Sequence, residues 1–143
     1  MKNVQIKSLK HQHGLGMLQW LVVIVVVAAL GKFAYTVVPL YSENVYVRTA
    51  LKSLASDSAQ KLEQMSDEEI RKKISNFYMI NNVNSEGPKK NLKIERESEK
   101  VLVTVDYETR ANYIWNMDVI VSFKNHLDST RPGQCCDPAP TAK

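Results

Sequence analysis

Ten consecutive apolar residues, Leu21 to Leu30, stand near the start of the chain, and any fold must either bury them or place them in lipid. They are preceded by Leu15-Gly16-Met17-Leu18-Gln19-Trp20 and followed by Gly31-Lys32-Phe33-Ala34-Tyr35-Thr36-Val37-Val38-Pro39. As a helix, Leu15 to Val38 measures about 36 Å, enough for a hydrocarbon core of about 30 Å with some tilt. A valine-rich run with no polar face does not suit a surface helix of a small soluble domain. The expectation is therefore a transmembrane helix over 15–38. Trp20 and Tyr35 fall near its two ends as interfacial anchors. Lys32 is the one full charge inside it, under two turns from the outer end, where its stem can snorkel to the headgroups.

The leader, 1–14, carries Lys2, Lys7 and Lys10. Together with the amino terminus they outnumber Arg48 and Lys52 on the far flank, which puts the N-terminus in the cytoplasm. Residues from Leu40 onward then face the periplasm or an equivalent exterior, and the expectation is a bacterial inner-membrane protein. A cleaved signal peptide is the rival reading, because Val27-Ala28-Ala29 offers small residues for a peptidase. Apolar and aromatic residues continue through Phe33, Tyr35, Val37 and Val38, longer than a signal core, so an uncleaved anchor fits better.

Net charge, +4 in 143 residues, invites a nucleic-acid reading, but three of the lysines sit in the leader. The basic run of the exterior part, Arg71-Lys72-Lys73, follows the acidic Asp67-Glu68-Glu69. Such a mixed cluster is the pattern of a solvated helix face, and it lacks the interleaved aromatics of a strand-binding platform. No nucleic-acid partner is expected.

The remaining 39–127 reads as one α+β domain. Leu40, Val47, Leu51 and Leu54 recur at helical spacing, so the membrane helix should run on as a stalk to about Ser58, with Pro39 as a kink or interfacial break. Ser66-Asp67-Glu68-Glu69 is a capping box, and Ile70, Ile74, Phe77 and Tyr78 give the helix behind it one apolar face, ending near Ile80. Turn residues occupy Asn81 to Pro88. From Asn91 the period becomes two: Leu92 and Ile94 form one strand, and Val101, Val103, Val105 and Tyr107 a second, with a turn at Ser98-Glu99-Lys100. A third strand is expected over Tyr113 to Phe123, giving a three-stranded antiparallel sheet covered by the stalk and the second helix. The tail, 128–143, has no apolar periodicity and reads as disordered.

Residue types that carry chemistry are sparse. His11 and His13 lie in the leader without a third ligand nearby, and His126 stands alone, so no metal site is expected. Cys135 and Cys136 are neighbours that cannot easily close a relaxed disulfide with each other. Pairing between chains, metal binding or an inert pair of thiols remain open, the last preferred. Asp106 and Glu108 share a strand face, as hydrolytic carboxylates might, but with Arg110 next along they fit a solvated sheet face. No glycine-rich phosphate loop, nucleophile elbow or zinc spacing occurs. The expectation is a non-enzymatic protein without cofactor or small-molecule substrate, whose partners are the lipid bilayer and an envelope protein.

Three stretches carry a resemblance: Gly14-Leu15-Gly16-Met17-Leu18-Gln19-Trp20-Leu21-Val22-Val23, Val37-Val38-Pro39-Leu40-Tyr41, and Val103-Thr104-Val105-Asp106-Tyr107-Glu108-Thr109-Arg110. From Gly14 to Leu127 the chain resembles a family of small proteobacterial single-pass membrane proteins of unknown function, often encoded beside signal peptidase I. The resemblance implies an envelope role and brings no catalytic residues. The first thirty or so residues also resemble type IV pilins and pseudopilins. That likeness implies peptidase cleavage after Gly14, with Leu15 as the new first residue. Gln19 then stands where those proteins hold a glutamate that pairs with a neighbour's amino terminus, so the charge needed for filament assembly is missing.

Overall fold

In the computed structural model of the chain, residues 16–57, 60–98 and 100–137 are described. The fold is α+β, as the change of period predicts. Helix α1 spans Met17–Ala55 and carries Pro39 inside it. At about 58 Å it is nearly twice as long as a bilayer core is thick. Among the described residues it is the one helix long and apolar enough to cross a membrane. Anchor and stalk are therefore one continuous element, which ends at Ala55 where the Ser56 amide donates to the Lys52 carbonyl.

The second helix, α2, spans Asp67–Ile80 behind the expected capping box. The Glu69 amide donates to Ser66 Oγ at 3.2 Å, and the Ser66 amide donates back to Glu69 Oε2 at 2.8 Å. Ile70, Ile74 and Tyr78 are the residues it buries, while Phe77 is only partly covered. A short helix, α3 at Glu86–Lys90, occupies part of the stretch expected to be turn. Ser85 stands at its N-cap position without a side-chain capping bond, and Pro88 falls in its first turn, where a missing N–H costs nothing. Gly87 lies against Tyr107: a Cβ there would meet the ring at 2.9 Å.

Strands β1 (Leu92–Glu97), β2 (Lys100–Ile114) and β3 (Met117–Asp128) form an antiparallel sheet in sequence order. Val101, Val103, Val105 and Tyr107 face inward with Phe123, Asn125 and Leu127, and α1 crosses that inner face with α2 packed beside it. Val47, Leu51, Ile70, Val103, Val105 and Leu127 are fully buried at the centre.

Three expectations are corrected. Tyr113 and Ile114 end β2 rather than begin the third strand, and the chain reverses at Trp115-Asn116. Asn112 holds that turn, its side-chain amide donating to the Trp115 carbonyl at 2.7 Å and to Asp118 Oδ1 at 3.0 Å. The tail is ordered from 128 to 137. The Asp128 carboxylate accepts from the Thr130 amide and hydroxyl and from Arg131, and a 3₁₀ turn follows at Pro132–Gln134. Cys136 is then buried, its carbonyl accepting from the His126 amide and its sulfur lying 3.4 Å from the Arg48 carbonyl. Cys135 and Cys136 are disulfide-bonded to each other, against the expectation of free thiols. A neighbouring pair of cysteines makes a small apolar unit, which is why it can plug the gap between β3 and α1.

Candidate functional site at the helix exit

The surroundings of α1 change at Thr36, the first buried residue of the helix. From there a seam of polar side chains joins α1 to the sheet. Asn44 Oδ1 accepts from the Asn125 side-chain amide at 2.8 Å and from the Tyr107 hydroxyl at 3.4 Å. Asn125 faces inward and is 2% exposed, so its amide must be satisfied within the protein. Beside it, Glu43 accepts from both the amide and the hydroxyl of Ser85, at 2.9 and 2.6 Å, tying α1 to the N-cap of α3. Burial first, and then the Glu43 charge, push the Tyr78 and Tyr107 hydroxyls above the usual phenol range. Both stay protonated, and the Tyr78 hydroxyl is buried without a partner. The seam ties α1 to α3 and to the sheet.

A second seam, of aromatic rings, continues toward the N-terminal half of α1. Tyr41 meets Phe123 edge to face at 5.3 Å, and Phe123 in turn meets Tyr107 at 5.3 Å. Further down, Phe33 meets Tyr113 edge to face at 5.8 Å, and the Tyr113 hydroxyl donates to the Ala29 carbonyl at 2.8 Å. The β2–β3 hairpin therefore follows α1 past the packed core and alongside its apolar half. On the other side of α1, a groove of about 840 Å³ runs between Ala34–Tyr46 of the helix and the Asn82–Asn84 loop. Tyr35, Val38, Pro39 and Tyr46 make its apolar wall, and Met79 and Ile80 at the end of α2 are also exposed.

The residues singled out from sequence are scattered. Gly14 and Leu15 of the processing motif lie outside the described residues. Gln19 caps α1 itself, its side-chain oxygen accepting from the Gly16 amide at 3.1 Å. Trp20 and Tyr35 are exposed near opposite ends of the apolar stretch, and the Lys32 ammonium sits 5.7 Å from the centre of the Tyr35 ring. On the outer sheet face, His126 Nε2 lies 3.0 Å from Asp106, and Ser122 donates to Glu108 at 2.9 Å. Ser122 and His126 are four residues apart on one strand, roughly 13 Å. They do not share a hydrogen bond, so the hydroxyl has a carboxylate partner and the imidazole another. No cluster of metal-ligating side chains occurs among the described residues.

A protein family described as "Domain of unknown function (DUF4845)" matches residues 36–123. The chain belongs to the DUF4845 family. Its DUF4845 region begins at Thr36, where α1 starts to be buried, and ends at Phe123, inside β3. It takes in Tyr41, Glu43, Asn44, Ser85, Tyr107 and the hairpin turn, and leaves out Ala29, Phe33, Asn125, the exposed half of α1 and the cysteine pair. No curated protein and no solved structure matches the chain. Sequence reasoning missed the Glu43–Ser85 and Asn44–Asn125 contacts because polar residues on separate elements carry no local pattern. The inward phase of Asn125, between Phe123 and Leu127, was the available signal for one of them.

Proposed function

We propose that this DUF4845 protein is a non-enzymatic, single-pass protein of the bacterial inner membrane, with its N-terminus in the cytoplasm and its α+β domain in the periplasm. The observation that carries the reading is the division of α1. Met17 to Tyr35 expose an almost unbroken apolar surface, while the rest of the same helix is built into the domain core. An exposed apolar surface of that size is stable in lipid and not in water. The leader lysines favour the cytoplasmic side for the N-terminus.

The domain acts by contact with an envelope protein. The groove at the helix exit supports this, since it is apolar, open and continuous with the outer face of α1. A partner with its own membrane helix alongside α1 fits there. Fusing a periplasm-active reporter after Lys143 tests orientation: an active fusion is expected, and a stable but inactive one overturns it. Photo-crosslinking from Tyr46 in intact membranes, with Lys93 on the sheet as control, tests the contact. A defined adduct from Tyr46 alone is expected; equal yields remove the groove from consideration. Replacing Asp106, Glu108 or His126 should leave any phenotype intact at normal abundance, and a loss would revive an enzymatic reading.

The long helix half covered by an antiparallel sheet also favours a second reading, a minor pilin-like subunit. Mass spectrometry of the extracted protein decides: a new N-terminus at Leu15 supports it, and an intact Met1 removes it.

A further inference from the structure

The β2–β3 turn has a composition and a position that the packing of the domain does not explain. Ile114, Trp115, Met117 and Ile120 are all exposed there, Trp115 by 92%. Trp115 also has φ of 49°, in the left-handed region that suits glycine or asparagine. A large indole held in an unfavourable backbone conformation and almost wholly exposed points to something outside the domain for it to contact.

Position supplies what that is. The Tyr113 hydroxyl is bonded to the Ala29 carbonyl, and Ala29 belongs to the uninterrupted apolar run. The turn lies beyond Tyr113 along the strand, so it stands beside the half of α1 that faces lipid. Charges are set back from the tip: Arg110 pairs with Asp118 at 3.4 Å. Lys32 belongs to the same level of α1, one residue before Phe33, the ring that meets Tyr113. The Trp115 carbonyl, which would be costly to bring out of water unpaired, already accepts from Asn112. An apolar point, a tryptophan and a charged neck reproduce the layering of a membrane interface.

We propose that the turn Ile114–Met117 is a second membrane contact, dipping into the interfacial layer of the bilayer that α1 crosses, with Trp115 as its anchor. The contact fixes the tilt of the domain on the membrane, because one helix alone leaves the domain free to lean. It also sets the bilayer surface near Lys32 on α1, below the Val38 end expected from hydropathy. The proposal rests on the reading of α1 as a membrane helix, and the two are separable by experiment.

Trp20 and Trp115 are the two tryptophans of the chain, so Trp20→Phe and Trp115→Phe each leave one reporter. Each full-length variant is reconstituted in phospholipid vesicles whose acyl chains are brominated either near the headgroup or near the chain end. Trp115 should lose most of its emission to the shallow bromines, less to the deep ones, and little to aqueous iodide. Quenching of Trp20 by bromine with Trp115 open to iodide overturns the hairpin contact and leaves the anchor standing. If Trp115 resists both bromine and iodide, protein covers it, and the proposal fails equally. Loss of bromine quenching at Trp20 sinks the membrane reading of α1 and the hairpin contact with it.

Discussion

Between Met17 and Tyr35, α1 leaves every residue but Ala29 exposed, whereas between Thr36 and Ala55 it buries Thr36, Val47, Ala50, Leu51 and Leu54. The backbone is the same helix in both halves, so hydrogen bonding does not distinguish them. What differs is the medium each face requires. The C-terminal half gains its stability from side chains that meet α2 and the sheet; the N-terminal half has few such neighbours and, on the proposed membrane reading, depends on lipid. Changes in the two halves should therefore be read out by different measurements.

Leu51 tests the packed half most severely. It is fully buried between α1 and the core, and Leu51→Ala should cost about 2–5 kcal/mol by lost burial and an unfilled cavity. Urea unfolding of the domain in detergent would show it, with Val25→Ala as the counterpart that leaves the midpoint in place. A shift of similar size from Val25→Ala would break the comparison. Asp128 gives the next effect. Burial alone raises its carboxyl, but the Thr130 hydroxyl and amide, Arg131 and Lys100 outweigh this and hold it at about 2. A carboxylate with a depressed folded value stabilises the fold above its ordinary range, and that contribution fades as pH falls from about 4 toward about 2. Asp128→Asn should cost on the order of 2 kcal/mol at neutral pH, and the difference from the parent should shrink in acid. Equal losses at pH 7 and in acid would mean the charge is not the cause.

A smaller loss belongs to the cap of α2. Ser66→Ala removes the acceptor for the Glu69 amide and should lower stability by about 1 kcal/mol. Ser66→Asp should restore it, because aspartate accepts the same bond; failure of that rescue would assign the loss to packing instead.

How far these elements could be read beforehand follows from the range of the interactions that make them. The Ser66–Glu69 box and the alternation from Val101 to Tyr107 involve neighbours in sequence, so their patterns survive in the primary structure. The contacts that define the helix exit join residues far apart: Asn44 to Asn125 across 81 positions and Tyr113 to Ala29 across 84. Only the inward phase of Asn125, between Phe123 and Leu127, marks either of them locally. The turn at Trp115 was obscured differently, since Tyr113, Ile114 and Trp115 are all good strand formers and Asn116 alone suggests a reversal. In the tail, Asp128-Ser129-Thr130 did carry a turn signal, side-chain oxygens able to bond their own backbone. Absence of apolar periodicity outweighed it, although a single buried cysteine, Cys136, needs no periodicity to be packed.

Gln19 provides the smallest effect and the cleanest contrast. Its side chain satisfies the Gly16 amide at the very start of α1, more than ten residues before the first buried position of the helix. Gln19→Ala frees one end amide, a change worth under about 1 kcal/mol and confined to the first turn. Amide exchange of Met17 to Trp20 in micelles should quicken while the unfolding midpoint of the domain stays where it is. Gln19→Glu keeps an acceptor at the same place and should restore the slow exchange. If instead Gln19→Ala moves the domain midpoint, the two halves of α1 are energetically coupled through the helix, and their separation into a lipid-dependent and a packing-dependent part no longer holds.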